Sequence, residues 1–186
     1  LGYLAEAQLN ENQRPAMGNH IFGTFGHDLV CADGERVMIV GVSPNQWQAI
    51  VKVTDCASSV ATLAFDLGLN FDKEGDRYAA RERLRSLFAP WFAARSSKQV
   101  HVALEAAGVC WGPYQTVKQL VENDAECSTG NPLFSSINQP DIGRLLTPSQ
   151  PLNFAGLESI EPKPAPRLGQ HTDEILSELL EMSSGE

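Results

Sequence analysis

Arg36 to Val42 reads Arg-Val-Met-Ile-Val-Gly-Val, an almost unbroken apolar run after its first residue. Such a run predicts a strand covered on both faces. Asp33-Gly34 just before it is a strong turn dipeptide, so a tight turn over Ala32-Asp33-Gly34-Glu35 joins it to a preceding strand as a hairpin. The period then becomes helical. Ser43 is placed as an N-cap with Pro44 in the first turn, and Trp47, Ile50 and Val51 fall on one face. A second helix is predicted over Ser58–Leu67, ending near Gly68, with a polar loop from Asn70 to Gly75. Asp76 to Ala94 carries the longest helical pattern. Tyr78, Leu84, Leu87, Phe88 and Trp91 face one way, and Arg81, Glu82, Arg83 and Arg85 face the other. Pro90 should bend or end that helix. A further helix starts at Ser96–Gln99, runs through Val100, Val102 and Leu104, and stops at Gly108. An extended stretch, Val109–Tyr114, and a helix capped by Thr116 over Val117–Glu122 complete this part.

The two ends read differently. Leu1, Leu4 and Leu9 recur at roughly helical spacing with no cap in front, so residues 1–10 read as the end of a helix in a longer chain. Asn10 to Met17 is a linker. Beyond Asn123 periodicity fades into Pro, Ser, Asn and Gly, with short extended pieces expected near Gly143–Leu146 and Leu152–Phe154. A long irregular segment of this kind usually runs over another surface. Pro162 to Pro166 is a proline-spaced linker, and Thr172 caps a last helix, Asp173–Met182, with both acids in its first turn. Its apolar face, Ile175, Leu176, Leu179 and Leu180, has no obvious partner in the preceding sequence. The organisation expected is residues 1–16 as helix end and linker, 17–123 as a small α+β domain, and 124–186 as a return segment with a terminal helix.

Composition narrows the partners. Of 186 residues, 42% are hydrophobic and 20% charged, the balance of a soluble globular chain. The net charge of −9 argues against nucleic acid or an anionic membrane as partner. No apolar run approaches the roughly 20 residues of a membrane span. Cys31, Cys56, Cys110 and Cys127 show no Cys-x-x-Cys spacing, and no signal peptide is evident, so reduced thiols in the cytoplasm are expected.

Candidate chemistry concentrates in front of the hairpin, in Gly18-Asn19-His20-Ile21-Phe22-Gly23-Thr24-Phe25-Gly26. The glycine spacing lacks the Gly-Lys-Ser/Thr ending of a phosphate-binding loop and the strand-then-helix setting of a dinucleotide fingerprint. Glycines nevertheless let a backbone take positive φ and approach a ligand closely. Spacing alone leaves this a ligand-contacting loop or a plain connector. No nucleophile elbow, metalloprotease motif or zinc-ligand cluster is present, and His101 reads as an ordinary helical histidine.

Three segments taken in order carry a family resemblance. They are Gly18-Asn19 with Phe22-Gly23 and the Asp33-Gly34 hairpin; Ala106-Ala107-Gly108-Val109 leading through Trp111-Gly112-Pro113; and Ala165-Pro166-Arg167-Leu168-Gly169-Gln170-His171-Thr172-Asp173-Glu174-Ile175-Leu176. Together they resemble the C-terminal half of family III CoA-transferases, the CaiB/BaiF family. Within it, the loop and the Ala107–Gln115 stretch look most similar to members that move CoA between two carboxylates of the same molecule.

The resemblance implies an α+β fold. A small domain of hairpin and helices is followed by an irregular return segment and a helix that pack on a large domain, in an interlocked homodimer. It implies covalent catalysis in which an aspartate attacks the acyl-CoA thioester and then carries the CoA as its own thioester. That aspartate is expected upstream of this chain, so no catalytic residue is expected here and the stretch alone should be inactive. Coenzyme A enters as part of the substrate, with no tightly bound cofactor and no metal. The site residues expected in this chain are Asn19 and His20, placed to bind a substrate carboxylate, and Gly23, Thr24, Phe25 and Gly26, placed as a loop that shields intermediates from water. Two alternatives stay open: an α-methylacyl-CoA racemase of the same fold, and a non-catalytic interaction domain.

Overall fold

The computed structural model describes residues 2–10, 14–152, 154–157 and 160–180. Two compact units divide the chain, Leu1–Tyr114 and Gln115–Glu186.

The first unit is built on a three-stranded antiparallel sheet in the order β1-β2-β3: β1 is Phe25–Val30, β2 Arg36–Gly41 and β3 Cys110–Pro113. The hairpin is present, but its loop has three residues, not the two of the Asp33-Gly34 dipeptide. The Gly34 amide donates to the Cys31 carbonyl oxygen at 3.0 Å, the Cys31 amide donates to that of Glu35 at 2.8 Å, and Gly34 takes φ 84° while Asp33 keeps a negative φ. Helix α1 covers Gly2–Asn10. Five more helices follow β2: α2 (Pro44–Val53), α3 (Ala57–Leu67), α4 (Glu74–Ala79), α5 (Arg81–Ala93) and α6 (Ser97–Ala106). The predicted caps are present. Ser43 and Ser96 each close a capping box, with Gln46 and Gln99 reaching back, and Gly68 ends α3 in the left-handed region. A core of Phe25, Leu29, Val37, Ile39, Trp47, Ile50, Leu84, Phe88, Phe92, Val100 and Leu104 joins sheet to helices.

Two further expectations are corrected in this unit. Strand β2 is fully buried on one side only: Val37, Ile39 and Gly41 are buried, whereas Met38 and Val40 are half-buried. The Asp76–Ala94 pattern is two helices that break at Ala80, not at Pro90. Pro90 stays inside α5, where it and Ser86, whose carbonyl it leaves without a helical donor, are both exposed, so water can serve that carbonyl. The break at Ala80 has another cause. It lets Arg77, which is fully buried, turn its guanidinium onto the carbonyl oxygens of Phe71 and Val42 (2.8 and 2.6 Å) while α5 keeps Leu84, Phe88 and Phe92 in the core. On α6, Val100 and Leu104 are buried and Val102 is exposed.

The second unit contains α7 (Val117–Asn123), capped by Thr116 as predicted, and a short 3-10 turn, Ala125–Cys127. A two-stranded antiparallel sheet follows, β4 (Phe134–Gln139) with β5 (Gly143–Pro148), and then α8 (Thr172–Leu180). Strand β4 was not expected. Its sequence, Phe-Ser-Ser-Ile-Asn-Gln, is too polar to show alternation, and backbone pairing with β5 defines it. Leu152 and Phe154 lie outside any strand, and Asn153 is not among the described residues. On α8, Ile175, Leu179 and Leu180 are exposed, and the predicted continuation to Met182 lies outside the described residues.

Candidate functional site

Strand β1 is an outer strand of its sheet, and the glycine-containing segment folds back along its free side. The Ile21 amide donates to the Gly26 carbonyl oxygen at 3.0 Å, and the Ile21 side chain lies over Gly26. Alternation along β1 sends Phe25, His27 and Leu29 to one face of the sheet and Gly26, Asp28 and Val30 to the other. The returning segment straddles that edge.

On one side Asn19 Nδ2 donates to Asp28 Oδ1 at 2.9 Å. The Asp28 side chain is wholly buried and is also paired with the half-exposed Arg36 guanidinium. Burial pushes the Asp28 carboxyl up, but the hydrogen bonds from Asn19 and Arg36 and the charges of His27 and Arg36 outweigh it. The carboxyl therefore sits below its ordinary value of 3.8.

On the other side His20 Nε2 stands 2.7 Å from Glu82 Oε1 of α5, and the His20 and His27 rings meet edge-on at 4.1 Å. His27 Nδ1 donates to the Asp28 carbonyl oxygen at 2.6 Å. The His20 side chain is only 6% exposed, and its Nδ1 is buried with no partner among the described residues. Burial is the largest influence on His20 and lowers its pKa below 6.5, against the opposing pull of Glu82. The Glu82 carboxyl is in turn held down, chiefly by its hydrogen bond with His20. A neutral His20 donating from Nε2 to an ionised Glu82 accounts for both directions.

The remaining expected residues lie deeper. Gly23 has φ 82°, with no atom within 4 Å of where a Cβ would stand. Thr24 is buried and donates from Oγ1 to the Gly41 carbonyl oxygen at 2.9 Å. Phe25 is fully buried, edge-on to Trp47 and Phe88, and Gly26 is the second residue of β1. Thr24, Phe25 and Gly26 are therefore anchored in the sheet and core, and the part of the expected loop that lies outside the strand is Gly18 to Gly23. Phe22 and Tyr78 pack edge-on at 5.1 Å, with Arg14 over Phe22 and Arg81 over Tyr78, which pins the same segment to α4.

His27, Asp28, Arg36 and Glu82 belong to this cluster and were not singled out from sequence. One signal was available for Asp28, an acid beside His27 in a strand whose other residues are apolar or glycine. Glu82 carried none, because it sits among the charges of a solvated helix face. In the second unit a cleft of about 460 Å³ is lined by Thr129, Phe134, Ser135, Ser149, Ile160 and Glu161. Its Ser135 and Ser149 hydroxyls pair with each other at 2.6 Å. Among the described residues no group of three or more His, Cys, Asp or Glu side chains is placed to hold a metal ion. No described helix is long and apolar enough to cross a membrane.

Comparison with known proteins places the chain in a family. The chain is 45% identical over all 186 residues to the 2-methylfumaryl-CoA isomerase of Chloroflexus aurantiacus, and spans 46% of that protein. It is 30% identical over 162 residues to a formyl-CoA:oxalate CoA-transferase of Rhodopseudomonas palustris, covering 85% of this chain and 36% of that protein. The chain thus spans less than half the length of these relatives. Among solved structures, a CaiB/BaiF family protein from Brucella suis superposes with a TM-score of 0.62 at 19% identity, over 96% of this chain and 44% of that one. Rv3272 from Mycobacterium tuberculosis superposes with a TM-score of 0.63 at 18% identity, over 94% and 43%. These two likenesses support the α+β fold. Residues 2–172 match the profile of CoA-transferase family III, and the chain belongs to that family.

Proposed function

We propose that this chain is the C-terminal portion of an enzyme that moves CoA from the C1 to the C4 carboxylate of mesaconyl-CoA, which is 2-methylfumaryl-CoA. The observation that carries the reading is the 45% identity to the Chloroflexus isomerase, sustained over the whole chain. An aspartate in the other part of the protein attacks the thioester to give a mixed anhydride and CoA thiolate. The thiolate then attacks the aspartyl carbonyl of the anhydride, giving an aspartyl-CoA thioester and releasing the mesaconate carboxylate. The second carboxylate of the same mesaconate attacks that thioester to give a new mixed anhydride and thiolate. The thiolate attacks its mesaconyl carbonyl, giving the C4 ester and freeing the aspartate. An intramolecular acceptor demands that mesaconate stay bound and dry while it turns, because water would hydrolyse the anhydride. The Gly18–Gly23 segment, with Asn19 and His20 on it, is the part of this chain suited to that task. The enzyme would work as a cytoplasmic homodimer.

The test is to incubate the full-length protein with mesaconyl-C1-CoA and separate the regioisomers by chromatography. The C4 isomer should accumulate without any added acceptor. No C4 isomer here, together with exchange of the α-proton of a saturated 2-methylacyl-CoA given in a parallel incubation, would instead indicate a racemase. A separate trial of residues 1–186 alone should give no turnover.

A further inference from the structure

His20 has one nitrogen committed and one waiting. Nε2 donates to Glu82 Oε1 at 2.7 Å, which leaves Nδ1 of the neutral ring as a lone pair, buried and without a partner among the described residues. A lone pair repels a carboxylate. Nδ1 can receive one only by first becoming an N–H, and Glu82 prevents the ring from offering Nε2 instead.

We propose that His20 binds the free carboxylate of the substrate as an imidazolium, taking up a proton as the carboxylate arrives, with Glu82 as the positioning residue that reserves Nδ1 for it. The inference rests on the reading of the loop under Proposed function.

The surrounding charges support the coupling. Facing His20 are His27 from β1 and Arg81 and Glu82 from α5; Asp28, on the other side of the edge, reaches it only through His27. Arg85 lies 3.6 Å from Glu82, and Asn19 and Arg36 act through Asp28. Asp28 is already neutralised by Arg36, while His27 and Arg81 oppose a further positive charge. Burial opposes it most, so the resting ring is neutral near pH 7. An incoming carboxylate brings the missing negative charge, and the ring then bridges two carboxylates, Glu82 at Nε2 and the substrate at Nδ1. The balance is simple. A solvent proton is bound, an N–H bond forms, and no other bond changes. Access comes through the segment itself: Gly18 and Gly23, at φ 57° and 82°, bracket His20, and neither has an atom within 4 Å of where a Cβ would stand.

Calorimetric titration of the full-length protein with mesaconate at about pH 7.5, in phosphate and in Tris, reads the proton directly. The expected result is a binding heat that depends on the buffer, corresponding to net proton uptake. His20→Gln should abolish the uptake. Glu82→Gln, an exposed and fold-neutral change, should keep the hydrogen bond but weaken mesaconate binding about tenfold, by removing the charge that stabilises the imidazolium. Equal heats in the two buffers overturn the proposal, as do absent binding and binding unchanged in both variants. Isomerase activity measured in parallel separates the two readings. Equal heats with an active enzyme sink only the proton coupling. Buffer-dependent heats in an enzyme that does not isomerise mesaconyl-CoA sink only the assigned reaction.

Discussion

Glu82 Oε1 and His20 Nε2, 62 residues apart in sequence, are joined at 2.7 Å, and this pair ties the glycine-bracketed segment to α5. The folded pKa of His20 lies below its ordinary 6.5, so in the window beneath 6.5 the unfolded chain binds more protons than the folded one. Stability should therefore fall as pH drops from about 7 toward 5, and His20→Gln should flatten that slope. Urea midpoints measured across this range check it. A slope unchanged by the substitution would assign it to other groups.

Asp28 should control a second, more acidic limb. Its folded pKa is depressed below 3.8, so its stabilisation is full above the unfolded value and is lost as pH falls through the folded one. Asp28→Asn removes the charge that Arg36 and Asn19 were arranged to meet. It should cost about 1–3 kcal/mol at neutral pH and leave a variant whose stability varies less between about pH 4 and 2. Chemical denaturation at the two extremes decides this.

Arg77 is a fully buried cation held by main-chain carbonyl oxygens and lying over Trp47 at 5.5 Å. Lysine carries the charge but cannot span those carbonyls with one ammonium group. Arg77→Lys should destabilise by about 1–3 kcal/mol and Arg77→Ala by more. Thermal melts of both variants give the ranking, and equal losses would mean that the fork geometry is unimportant.

Gly23 and Gly26 should separate function from packing. A Cβ on Gly26 would stand 2.7 Å from Ile21 Cδ1 and 3.1 Å from Ile21 Cβ, so Gly26→Ala must displace the whole Ile21 side chain. It should cost about 1–3 kcal/mol, partly restored by adding Ile21→Ala, with a coupling of order 1 kcal/mol in the double-mutant cycle. Gly23 has open space but a positive φ, so Gly23→Val strains the backbone by about 1–2 kcal/mol without a clash. In the full-length enzyme that variant should lose more than about tenfold in kcat while still folding, a barrier change above 1.4 kcal/mol. Unchanged turnover would make the segment a connector.

The parts of the fold written in local pattern were legible in the sequence. The Asp33-Gly34 turn, the Ser43, Ser96 and Thr116 caps and the Gly68 stop each satisfy a backbone requirement within a few residues. What was not legible depends on distant partners. Arg77 reads as one more charge on a helix, and only the carbonyl oxygens of Val42 and Phe71 make it a core residue. Strand β4 has no hydrophobic signature because its pairing with β5 is a backbone matter. The candidate site shows the same division. Asn19 and His20 were singled out by their glycine-rich setting. Asp28 and Glu82, which decide what Asn19 and His20 can do, come from other elements and look ordinary in sequence.

The proposed isomerisation requires that CoA move within one mesaconate molecule. It is tested most directly by giving the full-length protein unlabelled mesaconyl-C1-CoA together with an excess of isotopically labelled free mesaconate. Mass analysis of the CoA esters should find the C4 isomer formed and free of label. Labelled ester would show transfer to an external acceptor, and absence of the C4 isomer would show that the protein catalyses a different reaction.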